Sequence, residues 1–206
     1  MSQFFTIHPV NPQQRLIHQA VDILNGGGVI AYPTDSAYAL GCALGNKGAL
    51  ERLRRIRLLP ETHEMTLVCR DLSELGTYAR VSNPVYRKIR SVTPGPYTFV
   101  LQATREVPRR LIHPKRKTIG IRVPDNELCR ALLTAPGEPM MSATLIMPDD
   151  EAPLTDPYEI RELLEHQVDL VIDGGYCGMD VTSVVAFEDG TPEVLREGVG
   201  DVSAFR

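Results

Sequence analysis

The sequence predicts a single α/β domain, a twisted and largely mixed sheet with flanking helices. Short helix-type and strand-type patterns alternate along all 206 residues, and no repeat, long linker or low-complexity stretch divides them. The 43% hydrophobic content suits one sizeable core in a chain of this length. No apolar run approaches the roughly 18 residues that a membrane span needs.

The elements follow in order. Asn11-Pro12 reads as a cap with proline in the first helical turn, and Leu16, Ile17, Ala20, Val21 and Leu24 recur at helical spacing until Gly26-Gly27-Gly28. These glycines follow a helix and precede the strand VIAY (29–32), the reverse of a P-loop, so they predict a terminator and tight turn rather than a phosphate cradle. A second helix is expected from about Asn46 to Leu58, and MTLVC (65–69) reads as a buried strand. Asp71, and Ser82 or Asn83 ahead of Pro84, look like caps of two further helices. TPGPYTFVLQA (93–103) is a Pro-Gly turn feeding a strand, and TIGIRVP (118–124) a strand ended by proline, with Asp125 capping the helix that follows. VDLVIDGG (168–175), TSVVAF (182–187) and PEVLREG (192–198) supply the late strands, with Asp173 serving the turn at Gly174-Gly175.

Composition narrows the function classes. Cys42, Cys69, Cys129 and Cys177 form no CxxC pair, so neither a zinc site nor a disulfide framework is expected, and no protein metal site is predicted. The N-terminus lacks the basic and apolar regions of a secretory signal, which fits a cytoplasmic protein with no membrane partner. The net charge of −4 conceals a polarity: residues 1–130 hold 19 of the 22 Lys and Arg but only 10 of the 26 Asp and Glu. That asymmetry fits a basic surface for phosphates or a polyanion, or a bias with no spatial meaning.

The first candidate site is AYPTDSAYALG (31–41), where a strand ends in proline and presents Thr34, Ser36 and Tyr38 with Asp35 between them. Strand ends that open into loops are where α/β folds place ligands, although a polar loop alone also reads as a solvated turn. Arg122 and Arg196 stand at strand ends, where each either forks onto phosphate oxygens or closes a structural ion pair. His63 sits beside Glu64 on a loop and either is solvated or lines a pocket, where its near-neutral titration suits an amine substrate.

Taken together, GGGVIAYPTDSAYALG, PGPYTFVL, TIGIRVPDN and MSATL, followed by IDGG, TSVV and LREG, resemble the YrdC/YciO-like family over about residues 15–200. The resemblance is to a YciO-type member in particular. It implies a YrdC-like (RibB-like) α/β fold with a deep basic concave face. The best-known members are L-threonylcarbamoyladenylate synthases, which join ATP, L-threonine and bicarbonate into threonylcarbamoyl-AMP and pyrophosphate for tRNA modification; magnesium usually accompanies the nucleotide. Carried onto this chain, the resemblance places Thr34, Tyr38, His63 and Ser183 at the amino-acid substrate. It places Arg57, Thr98, Arg122, Ser142, Thr144 and Arg196 at the nucleotide, with Arg57 and Arg122 catalytic. Such a reaction needs cations to neutralise the triphosphate while a carbamate oxygen attacks the α-phosphorus.

The match weakens in one segment. The synthases carry Lys-any-Arg-Pro and then Lys-Pro-Leu, where this chain has Arg57, Leu58, Leu59, Pro60 and then His63, Glu64, Met65. Leu59 removes a bidentate donor, and His63 removes most of a charge at neutral pH. SAT replaces SAN, and Ala39 stands where glycine is usual. The departures leave two expectations, a weak or altered synthase, and a paralogue that binds double-stranded RNA or tRNA through Arg52, Arg54, Arg55, Arg57 and the 109–117 loop. With no tryptophan and few aromatics, any RNA contact would be to backbone and shape.

Overall fold

The computed structural model describes residues 1–135 and 138–206. In chain order the elements are β1 (Gln3–Thr6), α1 (Gln14–Asn25), β2 (Val29–Tyr32), β3 (Ala39–Ala43), α2 (Lys47–Arg57), β4 (Thr66–Val68), α3 (Leu75–Tyr78) and β5 (Ala79–Arg80). Then come α4 (Asn83–Ser91), β6 (Tyr97–Ala103), β7 (Thr118–Arg122), α5 (Glu127–Thr134) and β8 (Met140–Thr144). The chain closes with α6 (Pro157–Leu164), β9 (Leu170–Asp173), β10 (Ser183–Glu188) and β11 (Thr191–Arg196).

Local chemistry explains most boundaries. α1 buries Ile17, Ala20, Val21 and Leu24 along one stripe, and Gly27, at φ +86°, takes the left-handed turn that leads into β2. The helix starts later than its sequence suggests, with Gln13 rather than Asn11 in the capping position. The reason is His8, whose Nδ1 accepts from Val10 N and Asn11 N and folds residues 8–13 into a turn of their own. Asn46 caps α2 by accepting from Ala49 N at 2.9 Å, and Asp71 caps a 3₁₀ turn, Leu72–Glu74. Asn126 caps α5 in place of Asp125, accepting from Cys129 N at 2.9 Å, while the Asp125 N–H donates to Asp35.

The strands form one mixed sheet in the order β1-β9-β2-β3-β8-β4-β7-β6-β10-β11, with β5 on β6. Pairing is parallel for β1/β9, β2/β9, β4/β7 and β6/β10, and antiparallel for the rest. β3 and β8 turn residues 39–43 and the MSAT segment into strands that sequence reading left as loop and motif, and β1 and α6 are likewise additions.

Because side chains alternate across a sheet, two cores form. Leu67, Phe99, Ile121, Met141 and Val185 face one layer with Leu53 of α2, Ile89 of α4 and Ile160 of α6. Ile30, Tyr32, Val68, Met140 and Ile172 face the other, beneath Ile17 of α1 and Leu132 of α5. That second cluster includes no residue of β6, β7 or β10. The same sheet face is therefore left open over those strands, and a cleft lies there.

Candidate functional site

The cleft has a volume of about 230 Å³. Its floor is one row of cross-strand partners: Ser142 pairs with Thr66, Thr66 with Gly120, and Gly120 with Val100. Two residues further along, Thr98 and Arg122 line the same face, joined by Val184 and Thr182, while Thr144 lies two residues from Ser142 in the other direction, on the Glu64 side. The two-residue strand period thus collects a hydroxyl-rich floor from five strands. Gly120 keeps it open, since a Cβ there would lie 2.8 Å from Thr66 Oγ1 and 3.0 Å from Met65 O. Gly120→Ala is accordingly expected to lower stability by about 1–3 kcal/mol, the usual effect of overpacking, and to narrow the cleft; chemical denaturation and ligand titration of the variant check both.

Cations ring this floor. Arg57, in the last turn of α2, points into the cleft with Nε buried and without a hydrogen-bond partner. Burial disfavours its charge. Arg196 donates from Nε to Thr182 O at 3.0 Å and from Nη2 to Thr182 Oγ1 at 3.1 Å; its pKa is held down by desolvation and by repulsion from Arg122. Thr182 also shares a 3.0 Å hydrogen bond with Thr98.

Arg122 is both wall and prop. It is only 6% exposed, and its Nη2 donates to Thr34 Oγ1 at 3.0 Å, Ser36 Oγ at 2.9 Å and Asp35 Oδ1. Asp35 Oδ2 in turn accepts from Asp125 N at 2.8 Å. The ion pair read as one of two alternatives is therefore present. Its Nε is buried with no partner.

Glu64 lines the cleft from the strand position two before Thr66. It accepts from Thr118 Oγ1 at 2.6 Å and from Arg116 Nη2 at 2.7 Å. His63, half-buried beside it, has its pKa lowered by burial, then by Arg57 and Arg54, with Glu64 opposing. The imidazole is thus neutral at pH 7. The sign follows from linkage: the unfolded chain binds the His63 proton more readily, so this group's share of stability is lost as pH falls through about 6.5 toward the lower folded value. An anion in the cleft offsets Arg57, Arg54 and Arg196, so the His63 pKa is expected to rise on ligand binding, which an NMR titration of the imidazole reads directly.

Not every expected site residue lines the cleft. Arg57, His63, Thr98, Arg122, Ser142, Thr144 and Arg196 do. Ser142 is already engaged, donating to Leu40 O at 3.0 Å and sharing a 2.7 Å bond with Tyr32 Oη. Thr34, Tyr38 and Ser183 do not line the cleft, and their hydroxyls bond inside the fold. Thr34 donates to Ala37 O at 2.6 Å, Tyr38 is fully buried and donates to Gly175 O at 2.7 Å, and Ser183 donates to Gly200 O at 2.6 Å. Asp173 serves its turn, accepting from Gly175 N at 2.9 Å.

Thr66 and Glu64 are polar lining residues outside the sequence-based assignment, while of the pocket hydroxyls that the resemblance implies at Thr182-Ser183 it is Thr182 that lines the cleft. Strand alternation from Val68 and Val184 carries the signal for all three. The four arginines of α2 do not share a face. Arg52 pairs with Asp169, Arg54 reaches Arg110 O, Arg55 is exposed and Arg57 enters the cleft.

Comparison with known proteins agrees with this architecture. The Sua5/YciO/YrdC family model, described as telomere recombination, matches residues 22–198. The YciO protein of Escherichia coli (strain K12) is 60% identical over all of both chains, and its crystal structure superposes with a TM-score of 0.97 at 59% identity, again over all of both. A threonylcarbamoyl-AMP synthase of Vibrio vulnificus is 28% identical over 88% of this chain and 98% of its own. A P. abyssi Sua5 crystallised with L-threonine has a TM-score of 0.87 at 20% identity, covering 96% of this chain and 58% of that one, which speaks for the fold. No described helix is long and apolar enough to cross a membrane. With its family model spanning residues 22–198 and a relative 60% identical end to end, the chain belongs to the Sua5/YciO/YrdC family.

Proposed function

We propose that the cleft binds ATP and catalyses formation of a carbamoyl-adenylate, with L-threonine and bicarbonate as the co-substrates that the related synthases suggest. The observation that carries this reading is the convergence of Arg57, Arg122 and Arg196 on one hydroxyl-lined floor, with Arg57 and Arg196 joining no ion pair among the described residues. An arginine without a carboxylate partner offers phosphate oxygens planar, charge-assisted donors.

In this reading the triphosphate lies across the three arginines, while Thr98, Thr144 and Thr182 orient it through hydroxyl contacts. A carbamate, made from the threonine amine and bicarbonate with loss of water, attacks the α-phosphorus through oxygen; the new P–O bond forms as the bond to the β-phosphate oxygen breaks, and pyrophosphate leaves. Arg57 and Arg122 stabilise the charge that grows in that step. Thr34, Ser36 and Asp35 hold Arg122 in place. Magnesium, which neutralises phosphate charge, would be held by the nucleotide's own oxygens, since Glu64 is the carboxylate lining the cleft and it is engaged with Thr118 and Arg116.

Calorimetric titration with ATP, followed by mass spectrometry of a reaction with threonine and labelled bicarbonate, tests the proposal. The expected result is saturable ATP binding, a threonylcarbamoyl-AMP product and one pyrophosphate per turnover. No heat with ATP, in the presence or absence of threonine, would sink it.

A further inference from the structure

The 104–117 loop and α2 enclose a second concavity of about 670 Å³, lined by Arg54, Arg109, Arg110, Lys117, Ile112 and Glu61 among others. It shares no lining residue with the cleft. The loop is held firmly. Val107 and Leu111 are buried in the core, Leu111 N donates to Pro108 O at 2.8 Å, and His113 Nδ1 accepts from Arg116 N at 3.1 Å.

Charge in this groove is unbalanced. Arg54, Arg109, Arg110 and Lys117 face one carboxylate, Glu61, and among the described residues none of the four joins an ion pair. Arg110 is fixed by donation to Gly45 O, and Arg54 reaches Arg110 O at 3.3 Å while its Nε is buried and unpartnered. Four gathered cations repel one another, and a multivalent anion relieves that repulsion. The volume lies within the ~300–1,000 Å³ range of small-ligand sites, and the lining comes from two short segments, residues 54–61 and 109–117, rather than from a track along the molecule. Ile112 and Pro114 give the wall an apolar part, suited to the part of a ligand that carries no charge.

We propose that this groove is a second anion site, distinct from the cleft, taking the phosphates of a compact polyphosphate of about nucleotide size. The two sites are electrically joined through Arg54, which lines the groove and also acts on His63 in the cleft. Occupancy of the groove therefore alters the charge seen by a cleft ligand.

Inorganic tripolyphosphate is the probe, titrated by calorimetry into the full chain and into Arg109→Glu and Arg57→Ala. Arg109 forms no structural ion pair, so its reversal spares the fold, which a thermal melt checks. Two binding events are expected in the parent chain, one weakened at least roughly tenfold by Arg109→Glu and the other by Arg57→Ala, as for lost charge-assisted bonds. A single event insensitive to Arg109→Glu overturns the groove and leaves the cleft reading standing. An Arg109-dependent event with no response to Arg57→Ala supports the groove and counts against the cleft. A short RNA duplex provides the other source of phosphates; binding of the duplex at Arg109 without any binding of tripolyphosphate overturns a site for a compact ligand.

Discussion

Replacing Arg122 with methionine is expected to lower stability by about 3–5 kcal/mol and to remove anion binding from the cleft, the largest combined effect of any single change here. The stability loss comes from what is left behind. The Asp35 carboxylate side chain is only 8% exposed, and losing its partner leaves a buried, uncompensated charge, together with two hydroxyls, Thr34 and Ser36, that lose a donor. For a chain of this size that corresponds to a fall in Tm of roughly 6–20 °C. A double variant separates the two consequences. Arg122→Met with Asp35→Asn removes both charges and keeps an amide oxygen for Asp125 N, so most of the stability returns while ligand binding stays lost. Binding retained in the double variant would make Arg122 a structural residue alone.

The ion pair also shows why the site was only partly legible in the sequence. Arg122 and Asp35 are 87 positions apart, and no local pattern joins them; the loop 33–38 and β7 meet because the sheet order places β3, β8, β4 and β7 side by side. Local patterns served well where the physics is local. The stripe of α1, the helix from about Asn46 and the strand around Arg122 all follow from spacing and turn chemistry. β3 escaped because ALGCA is composed of small residues that carry a weak strand signal, and its pairing with β2 and β8 is set by tertiary context. The adjacent hydroxyls Thr182 and Ser183 part company by alternation with Val184, Thr182 lining the cleft and Ser183 donating to Gly200 O. Thr34 and Tyr38 have the right chemistry for a ligand, yet the fold spends their hydroxyls on Ala37 and Gly175, a fact of partners rather than of residue type.

Arg57 is expected to behave in the opposite manner from Arg122. It joins no ion pair among the described residues, its Nε is buried without a partner, and burial already disfavours its charge. The free protein therefore carries a cation that strains its surroundings, and Arg57→Met should leave thermal stability unchanged or raise it by up to about 1 kcal/mol, as replacement of a functional polar group often does. Ligand affinity should move the other way, falling roughly ten- to a hundred-fold with the loss of one charged hydrogen bond. Arg57→Lys keeps the charge without the planar fork and should lie between the two. The decisive measurement is a pair of melting curves, with and without saturating ATP. Because a ligand stabilises in proportion to the logarithm of its concentration over Kd, the ranking should invert: the variant melts at or above the parent when free and below it when ATP is present. A variant that loses stability in both conditions would show that Arg57 supports the fold, and the cleft would then have only Arg122 and Arg196 with which to grip a triphosphate.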